Sequence, residues 1–386
     1  MHIGFLTPEY PHAQATASAG IGTTIKNLAQ ALLKQKIKVS IFVYGQSKAE
    51  ILEEGLLTIH LIPLQQKGFF TWYSYRKYLQ NYLNKCIVSE QIDLIEAPDW
   101  TGITAFMKLS APLVIRLHGT DAYFCKLEGR KQKVKNFWFE KLGLKTADAI
   151  ISPTQYTAKL TCEIFKLNPQ LLQVIPSGIS LEHFQNPNPN QYQKGLILYL
   201  GTIIRKKGVL ELSHIFERVL KQCDEAELIL IGGDSYDIKT KSDSTWLLLQ
   251  NALDGRSFSR MKHLGRVPYE QVQDYIRQAN VCVFPTFAET QGMVTIESMA
   301  MQKAVVNSNI GWAQEILSDS SEGFLVHPKN HDEFANRIIQ LIQNPELVSQ
   351  LGKAAQERVH TAFDIQKTVH TNIDFYTSVI QQYSKR

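Results

Sequence analysis

The stretch Pro285–Val306, PTFAETQGMVTIESMAMQKAVV, follows an apolar run, Val281–Phe284, that is typical of a buried strand. A polar turn with Gly292 separates this run from a stretch with the i, i+3, i+7 apolar spacing of a packed helix. The apolar positions of that helix are Met293, Ile296 and Ala300. A second apolar run, Ala304–Val306, predicts a return strand. A strand, a turn, a helix and another strand form the repeat of a parallel α/β sheet.

Two carboxylates lie on this segment, Glu289 in the turn and Glu297 inside the helix. Open α/β sheets bind ligands at the turns that follow the carboxyl ends of their strands, so both acids are candidate ligand contacts. Carboxylates near the start of a helix also interact favourably with its dipole without any ligand. The spacing by itself leaves both interpretations open.

The composition is that of an ordinary globular protein. The 386 residues are 44% hydrophobic and 20% charged, which is enough for two domains with complete cores. The formal net charge of +5 is mildly basic. This charge is too small to predict nucleic acid binding, but it suits an anionic co-substrate or an anionic membrane surface.

Five cysteines are spread singly along the chain: Cys86, Cys125, Cys162, Cys223 and Cys282. Because they form no CxxC pair, we expect a reducing compartment and no disulfide framework. The histidines show no HExxH or similar spacing, so the sequence predicts no tightly bound zinc. The first residues lack a cationic leader, and no apolar run approaches the roughly 18 residues that span a bilayer. These features predict a cytoplasmic protein.

Strand-like runs alternate with helix-like stretches along the chain, beginning with His2–Thr7. This alternation favours parallel sheets that are built from βαβ units. Proline and asparagine alternate within residues 185–191 and interrupt every periodicity. That segment predicts a linker between two α/β halves.

A glycine pair, Gly20-Ile21-Gly22, precedes the first predicted helix. A dinucleotide-binding fingerprint would need Gly or Ala where the chain has Ile25, and it would start directly behind the strand. The backbone N–H groups at the start of a helix nevertheless suit an anionic group. Phosphate binding and a simple turn both remain open here.

A second anion-binding candidate is the basic turn at residues 201–208, GTIIRKKG. It follows a buried apolar run and opens a helix, so Arg205, Lys206 and Lys207 can converge with helix N–H groups on a diphosphate. A solvated basic loop is the alternative, but three adjacent cations at the carboxyl end of a strand favour a ligand.

His118 follows the predicted strand Leu113–Leu117 and precedes Gly119. A side chain at the carboxyl end of a strand is accessible from the ligand-binding edge of an α/β sheet. A lone histidine is usually structural, and both roles remain open.

Two stretches of the first half are rich in aromatic or basic side chains. Residues 69–82 carry seven aromatic side chains. One helical face of this stretch predicts core packing, and it consists of Trp72, Tyr75, Leu79, Tyr82, Leu83 and Cys86. Tyr73 and Tyr78 lie off that face and predict an exposed stacking surface. Residues 126–145 carry seven Lys or Arg residues beside Phe137 and Trp138, and they predict a basic helix. Such a helix can lie on an anionic membrane or hold an acidic acceptor, although a solvated face is commoner.

With these features in place, the sequence resembles the retaining glycosyltransferases of family GT4. Residues 289–297, ETQGMVTIE, match the E-x7-E motif of the family. The turn at 201–208 is similar to its GR-xxx-KG element, and residues 174–184, VIPSGISLEHF, are similar to its viPnGvdxxxF pattern. His118-Gly119 resembles its HG element, and Ala19–Gly22 resembles its GGxG loop.

The resemblance covers nearly the whole chain and implies the GT-B fold, an α/β architecture of two Rossmann-like domains with parallel sheets that face each other across a cleft. Residues 1–185 would form the acceptor domain, joined by a terminal helix at 366–386. Residues 190–365 would form the nucleotide-sugar donor domain. Closure of the cleft would exclude water and limit hydrolysis of the donor.

The family also implies roles for individual residues. The catalytic residues would be Glu289, which binds hydroxyls of the donor sugar, and His118, which contacts the sugar near its anomeric centre. Glu297 would bind the nucleotide ribose. The side chains of Arg205 and Lys207 would hold the donor diphosphate. Backbone N–H groups would also bind it, in one set from Gly20, Ile21 and Gly22 and in another from Gly292, Met293 and Val294. Such enzymes retain the anomeric configuration, stabilise the departing diphosphate electrostatically and need no bound metal or other cofactor.

These implications predict a transferase that moves a sugar from a UDP- or GDP-sugar to a glycan or lipid-linked acceptor in polysaccharide biosynthesis. It would be cytoplasmic or peripheral at the inner face of the membrane, with membrane contact through 126–145. A non-catalytic subunit that binds nucleotide-sugar or glycan is the alternative, and the intact site residues count against it. A nicotinamide-dependent oxidoreductase is a further alternative, and the displaced glycines count against that.

Four positions depart from the family pattern: Ala19, Thr202, Gln291 and Gln302. Thr202 stands where the family has arginine, so one diphosphate contact is missing unless Arg205 supplies it. We expect these departures to bear on the identity of the donor more than on activity.

Overall fold

The computed structural model describes residues 1–16, 20–65 and 70–385. The chain divides into two compact units, one of Met1–Ser180 with Asp364–Arg386 and one of Leu181–Phe363. Among the described residues, no helix is long and apolar enough to cross a membrane.

The segment predicted to be a linker, residues 185–191, lies inside the second unit. The Asn186 side chain donates a hydrogen bond of 3.0 Å to the Met301 carbonyl, and the Gln185 carbonyl accepts one of 3.2 Å from Arg277. Proline and asparagine therefore end the periodic pattern here, but the segment stays packed on the second unit, because the Met301 carbonyl binds the Asn186 amide and the Arg277 side chain binds the Gln185 carbonyl.

The first unit begins the chain and contains, in order, β1 (His2–Thr7), α1 (Gly20–Lys34), β2 (Lys38–Gln46), β3 (Glu50–Glu54), β4 (Leu57–Pro63), α2 (Thr71–Glu90), β5 (Leu94–Pro98), β6 (Leu113–Arg116), α3 (Asp121–Glu128), α4 (Val134–Lys145), β7 (Ala149–Ser152), α5 (Gln155–Phe165) and β8 (Leu172–Val174). In the described part, its sheet has the order β3-β4-β2-β1-β5-β6-β7-β8. Neighbouring strands are parallel except β3 and β4. The sequence does not predict β3, because this edge strand, EILEE, has no continuous apolar run.

The second unit contains β9 (Leu196–Leu200), α6 (Glu211–Leu220), β10 (Glu227–Ile231), α7 (Thr245–Asn251), α8 (Gly255–Ser259), β11 (Met261–His263), α9 (Tyr269–Gln278), β12 (Val281–Phe284), α10 (Met293–Ala300), β13 (Ala304–Ser308), β14 (Phe324–Val326), α11 (His331–Gln343) and α12 (Pro345–Ala362). Its parallel sheet has the order β11-β10-β9-β12-β13-β14 within the described residues. The chain changes direction across the sheet between β9 and β12, which makes the carboxyl ends of these two strands the expected ligand-binding edge.

The central strands are buried along their entire length, as in VCVF of β12 and LILYL of β9. Parallel strands covered by helices on both faces need such continuous apolar runs, and these are the runs that the sequence shows. The predicted α/β class with two parallel-sheet domains is confirmed.

The chain returns to the first unit with its last helix, α13 (Ile365–Tyr383). A buried ion pair holds this helix on the sheet: Arg116 of β6 binds Glu96 of β5 through Nε at 2.7 Å and Nη2 at 2.9 Å. The same Nη2 donates to Asn372 of α13 at 2.6 Å, and the Tyr376 hydroxyl donates to Glu96 at 2.6 Å. Two strands and the terminal helix thus share one charged network.

The predicted basic helix at 126–145 is wrong in one respect, because two helices occupy this stretch. α3 ends at Gly129, whose φ of +64° is in the left-handed region and whose N–H bonds the Cys125 carbonyl. A glycine in that conformation is a common helix terminator. The second helix of this stretch, α4, therefore starts at Val134, and it carries Phe137 and Trp138.

The aromatic stretch largely follows its predicted faces. Tyr75, Leu79 and Leu83 of α2 are buried in the core, and Tyr73 is exposed. Tyr78 departs from the prediction, because it packs partly against the core. Phe69 lies outside the described residues.

Candidate functional site

The basic turn and the Pro285 turn are joined directly. Arg205–Lys207 form a 3₁₀ turn after β9, and Gly208 follows with a φ of +69°. A Cβ at Gly208 would overlap the carbonyl oxygen of Pro285, so only glycine allows this approach. The Phe287 N–H also donates to the Lys206 carbonyl at 2.9 Å. Two turns that lie far apart in sequence are therefore one structure at the ends of β9 and β12.

Lys207 and Glu289 form an ion pair at this junction. Both side chains are largely shielded from solvent, with exposed fractions of 20% and 18%. Burial, and then the neighbouring charge of Lys206, lowers the pKa of the Lys207 ammonium to about 7. The Glu289 carboxylate in contact with it opposes that shift, because it stabilises the protonated form. The ion pair therefore places one cationic and one anionic side chain at the turn before α10.

The N-terminus of α10 opens at the same junction. Gly292 caps the helix with a φ of +83°, and a Cβ there would lie 2.8 Å from the ring of Trp312. The first N–H groups of a helix have no intrahelical acceptor and carry its positive dipole end. Gly292, Met293 and Val294 thus place backbone donors at the start of α10, a few residues after Glu289, the ion-pair partner of Lys207.

Glu297 lies one helical turn farther on and is buried. Its Oε1 accepts a hydrogen bond of 2.9 Å from the Tyr269 hydroxyl of α9. Burial raises the pKa of the Glu297 carboxyl to about 7, and the bond from Tyr269 offsets only part of this shift. A further hydroxyl donor that reached this carboxylate would stabilise its ionised form.

Arg205 carries a partner that the sequence does not predict. Its Nε and Nη2 bind the two carboxylate oxygens of Asp237, each at 2.8 Å. Asp237 also accepts hydrogen bonds from the N–H and hydroxyl of Thr240, and the Arg205 side chain lowers the Asp237 pKa well below its usual range. The charge of Arg205 is therefore already shared with a buried carboxylate.

The glycine pair of the first unit starts α1, as predicted, at Gly20. The Gly22 N–H donates to the Glu9 carboxylate at 2.8 Å. An acidic side chain thus contacts a backbone donor to which the prediction assigned a phosphate. Ala19, the first position of the family-like loop, lies outside the described residues.

His118 follows β6 in the first unit, and its backbone is fixed by Asp99 at the end of β5. The N–H groups of His118 and Gly119 donate to the two Asp99 oxygens at 2.8 Å and 3.2 Å. Burial, and secondarily the charge of Arg116, lowers the pKa of the His118 imidazole to about 3. The ring is neutral, and it can serve as a hydrogen-bond partner but not as a cation.

The predicted residues thus fall into two sets. The second unit brings together Lys207, Glu289, Glu297 and the N-terminus of α10 at one sheet edge, with Arg205 on the same basic turn. The first unit holds His118 and the Gly20–Gly22 segment at the carboxyl ends of its own strands.

Comparison with known families agrees with this geometry. The model of the family described as "Glycosyl transferases group 1" matches residues 182–358, and that of "Glycosyltransferase Family 4" matches residues 18–183. The chain belongs to the GT4-type glycosyltransferases of group 1. The two matches together follow the two units of this glycosyltransferase closely.

Relatives of this glycosyltransferase span nearly its whole length. An uncharacterized glycosyltransferase of Methanocaldococcus jannaschii is 28% identical over 343 residues, which cover 88% of this chain and 89% of the relative. The alpha-maltose-1-phosphate synthase of Mycolicibacterium smegmatis is 23% identical and covers 98% of this chain and 100% of the relative.

Solved structures show the GT-B fold for this enzyme. Sucrose-phosphate synthase from Thermosynechococcus elongatus superposes with a TM-score of 0.80 and 20% identity over 100% of both chains. The Anabaena protein HepE, solved in complex with UDP and glucose, gives 0.74 with 19% identity, over 98% of this chain and 100% of its own. These likenesses are of fold, and they agree with the two parallel sheets described above.

Four residues of the glycosyltransferase contact predicted site groups without having been predicted themselves: Glu9, Asp99, Asp237 and Tyr269. Glu9 and Asp99 each follow the end of a strand, and that position is the signal that could have found them. Asp237 lies in the loop after β10, and Tyr269 begins a helix, and neither stands in a pattern that points to its partner.

Glu297→Gln is expected to change how the stability of the enzyme depends on pH. The folded-state pKa of Glu297, about 7, lies above its ordinary value of 4.5, so its stabilising contribution is complete below pH 4.5 and is lost as pH rises to 7. Glutamine does not titrate, so the stability of the variant relative to the parent should rise across this range, by about 3 kcal/mol at most. Denaturant titrations between pH 5 and 8 measure the difference, and parallel curves would contradict it.

Proposed function

We propose that this chain is a retaining glycosyltransferase that moves a sugar from a UDP- or GDP-sugar to a glycan or lipid-linked acceptor in polysaccharide biosynthesis. In this reaction the bond between the anomeric carbon and the diphosphate oxygen breaks, and a bond to the acceptor oxygen forms on the same face. The acceptor proton passes to the departing phosphate, so no protein base is required. The protein supplies positioning and charge stabilisation.

The observation that supports this proposal most is the junction of Lys207, Glu289 and the N-terminus of α10. A diphosphate leaving group gains negative charge as it departs, and a largely buried cation beside helix N–H groups stabilises that charge more strongly than water does. Glu289, which contacts Lys207, would accept hydrogen bonds from sugar hydroxyls next to the diphosphate. We assign no metal ion to this step.

The neighbouring groups have roles that follow from their contacts. Glu297 accepts a hydrogen bond from Tyr269 at 2.9 Å and, when ionised, can accept another from a ribose hydroxyl. Arg205 is the second cation proposed for the diphosphate. Because Asp237 already shares its charge, we expect its contribution to be smaller than that of Lys207.

Two groups of the first unit complete the proposal by resemblance to the family. The neutral ring of His118 would contact the sugar near its anomeric centre, with its backbone held by Asp99. The N–H groups of Gly20, Ile21 and Gly22 would contact the diphosphate. That contact requires the phosphate to compete with Glu9 for the Gly22 N–H.

The proposal is tested by mixing the purified protein with UDP-, GDP- and ADP-sugars and following nucleotide release and binding. Glu289→Gln should keep nucleotide affinity within a few-fold and slow transfer by about a hundredfold, because its carboxylate contacts the sugar and not the base. Glu322→Gln, which removes a partly exposed carboxylate of the second unit, is the control. The anomeric configuration of the product, read by NMR, tests retention.

Each outcome separates the candidate functions. Absence of binding and turnover with every nucleotide-sugar would refute the proposal. Nucleotide binding without transfer to any acceptor would favour the non-catalytic subunit. A product with inverted configuration would confirm glycosyl transfer and contradict the retaining mechanism.

We also propose peripheral contact with anionic lipid through α4. Val134 and Trp138 of this helix are exposed large apolar side chains, and the Lys141 Nζ lies 5.2 Å from the Trp138 ring. Lys135 lies 5.6 Å from the ring of Trp72 on α2. Exposed tryptophan beside lysine is typical of a surface that sits at the headgroup level of a membrane.

Co-sedimentation with vesicles tests this contact. The protein should pellet with phosphatidylglycerol vesicles and not with phosphatidylcholine vesicles, and added salt should release it. Trp138→Ala together with Lys141→Glu should abolish pelleting. If the protein stays in the supernatant at low salt, the membrane proposal is wrong and the glycosyltransferase proposal is unaffected.

A further inference from the structure

A buried polar cluster lies in the first unit, apart from every residue assigned to the donor. It consists of His60 on β4 with Cys86 and Glu90 on α2. The two α2 residues are four positions apart and so share one helix face. One ligand atom from each side chain lies within 4.8 Å of the others, where all three can reach a common point.

The His60 ring and the Glu90 carboxylate are each oriented by contacts with neighbouring side chains. The His60 Nδ1 lies 3.0 Å from the Tyr82 hydroxyl, and the ring stacks on Phe42 at 4.5 Å between centroids. The Glu90 Oε2 accepts a 2.9 Å hydrogen bond from the Ser40 hydroxyl, which also lies 2.9 Å from the His2 Nε2. Metal-binding histidines and carboxylates are held by such outer partners, which fix the ring and the tautomer.

The second ring nitrogen of His60 faces Glu90 and lacks a well-aligned hydrogen bond. His60 is 2% exposed, and among the described residues its Nε2 is a buried atom without a hydrogen-bond partner. Glu90 Oε1 lies 3.3 Å from that nitrogen but outside hydrogen-bonding alignment. Burial is the main influence on the His60 pKa and lowers it, which favours a neutral ring with a free lone pair. Buried polar atoms of native proteins are nearly always paired, so this nitrogen, close to a carboxylate oxygen but poorly aligned with it, is available to a further ligand.

We propose that His60, Cys86 and Glu90 bind a divalent transition-metal ion, Zn²⁺ in the first instance. Zinc accepts nitrogen, sulfur and oxygen ligands together, and around a tetrahedral ion with bonds of about 2.0–2.3 Å such ligands stand about 3–4 Å apart. The 3.3 Å between His60 Nε2 and Glu90 Oε1 fits this spacing. The Glu90 side chain, 24% exposed, gives the ion a route from solvent.

The charges of the proposed site balance. Zinc binding replaces the thiol proton of Cys86, so the product holds one thiolate, one carboxylate, one neutral imidazole and a doubly charged cation. Without the ion, burial and the nearby Glu90 raise the pKa of the Cys86 thiol to about 12 and keep it protonated. One proton is therefore released for each ion bound, and affinity should increase with pH.

This inference differs from the expectation of no bound zinc, and the reason is topological. Contiguous motifs such as HExxH place two ligands on one helix at a spacing that the sequence shows directly. Here one ligand comes from β4 and two come from α2, and only the packing of the helix on the sheet brings them together.

Metal binding to the full chain tests the site. After treatment with a chelator, Zn²⁺ affinity is measured by competition with a chromophoric chelator, and Co²⁺ is titrated as a spectroscopic probe. We expect one ion per chain, a thiolate-to-cobalt charge-transfer band, one proton released, and an increase in the melting temperature with Zn²⁺ but not with Mg²⁺.

Variants assign the ligands. Cys86→Ser should abolish the charge-transfer band, and Glu90→Gln should weaken Zn²⁺ binding by at least about a hundredfold. Ser40→Ala removes only an outer partner and should cost about 10- to 100-fold. Cys125→Ser is the matched control, because Cys125 is another buried helical cysteine one turn from a carboxylate, Asp121. It should keep both the band and the affinity.

The result that would overturn the site is specific. Wild type that binds Zn²⁺ no more tightly than Cys86→Ser, or a cobalt band that survives in Cys86→Ser, would show that these residues do not form it. Melting temperatures measured without metal establish that each variant is folded, so loss of binding cannot be mistaken for loss of structure.

Discussion

Replacing Lys207 with methionine is expected to lower kcat/KM for sugar transfer by about a hundred- to a thousandfold. Methionine keeps much of the length of the side chain and removes its charge. Lys207 is held on the turn that packs against Pro285 and is paired with Glu289, so its charge needs no rearrangement when the diphosphate departs. A preorganised charge in a partly dehydrated site is among the largest contributions to such a step. Steady-state kinetics with the preferred nucleotide-sugar measure the loss.

Three further variants test whether the loss is specific to Lys207. Lys262→Met removes an exposed lysine from β11, the edge strand of the same sheet, and should leave kcat/KM within about twofold, since an exposed charge is screened by water and salt. Arg205→Met should cost less than Lys207→Met, because Asp237 already shares the arginine charge. The double variant Lys207→Met with Glu289→Gln removes both members of the ion pair, so comparison with each single variant measures how far their effects are coupled. If Lys207→Met retains parental kcat/KM, the assignment of the diphosphate to this turn is wrong.

Arg116→Met is expected to destabilise the first unit by about 3–5 kcal/mol, because it leaves the buried carboxylate of Glu96 without its ion-pair partner. Glu96 would keep the hydrogen bond from Tyr376, but Asn372 would lose its donor from Arg116. Arg116 and Glu96 are each 3% exposed, so water cannot replace the missing charge without opening the structure. Urea unfolding followed by circular dichroism measures the loss.

The double variant Arg116→Met with Glu96→Leu separates the ion pair from packing. Apolar residues of similar size often replace a whole buried pair at little cost, so the double variant should be more stable than the single one. The effect of Arg116→Met should also appear in the packing of α13, as faster amide exchange in that helix. An unfolding free energy within about 1 kcal/mol of the parent, where surface substitutions fall, would contradict this account.

The sequence predicts most of the sheet because the signal for a buried parallel strand is local. VCVF and LILYL show it within a few residues. Two short or exposed strands, β3 and β11, are missed because EILEE and MKH contain no such run, and they exist only through pairing with β4 and β10. The basic stretch at 126–145 is predicted as one helix because its composition is uniform, whereas Gly129 ends α3 within it.

The candidate site divides in the same way. Glu289, Glu297, Lys207 and His118 can be proposed from motif and position along the chain. Their partners cannot, because the contacts of Arg205 with Asp237, of Gly22 with Glu9 and of Glu297 with Tyr269 join residues on different elements. These partners determine which charges are already balanced. Because Asp237 pairs with Arg205, we expect a smaller contribution of Arg205 to diphosphate binding.

The sequence by itself determined the α/β class, the strand-to-helix turns and the chemical types of residue in them, since periodicity and turn composition are properties of neighbouring residues. The tertiary structure decided which turns meet. Gly208 against Pro285 joins the basic turn to α10, Arg116 with Glu96 joins the last helix to the first sheet, and α2 on β4 gathers His60, Cys86 and Glu90. Each of these contacts depends on burial and on the packing of distant segments, which no local pattern encodes.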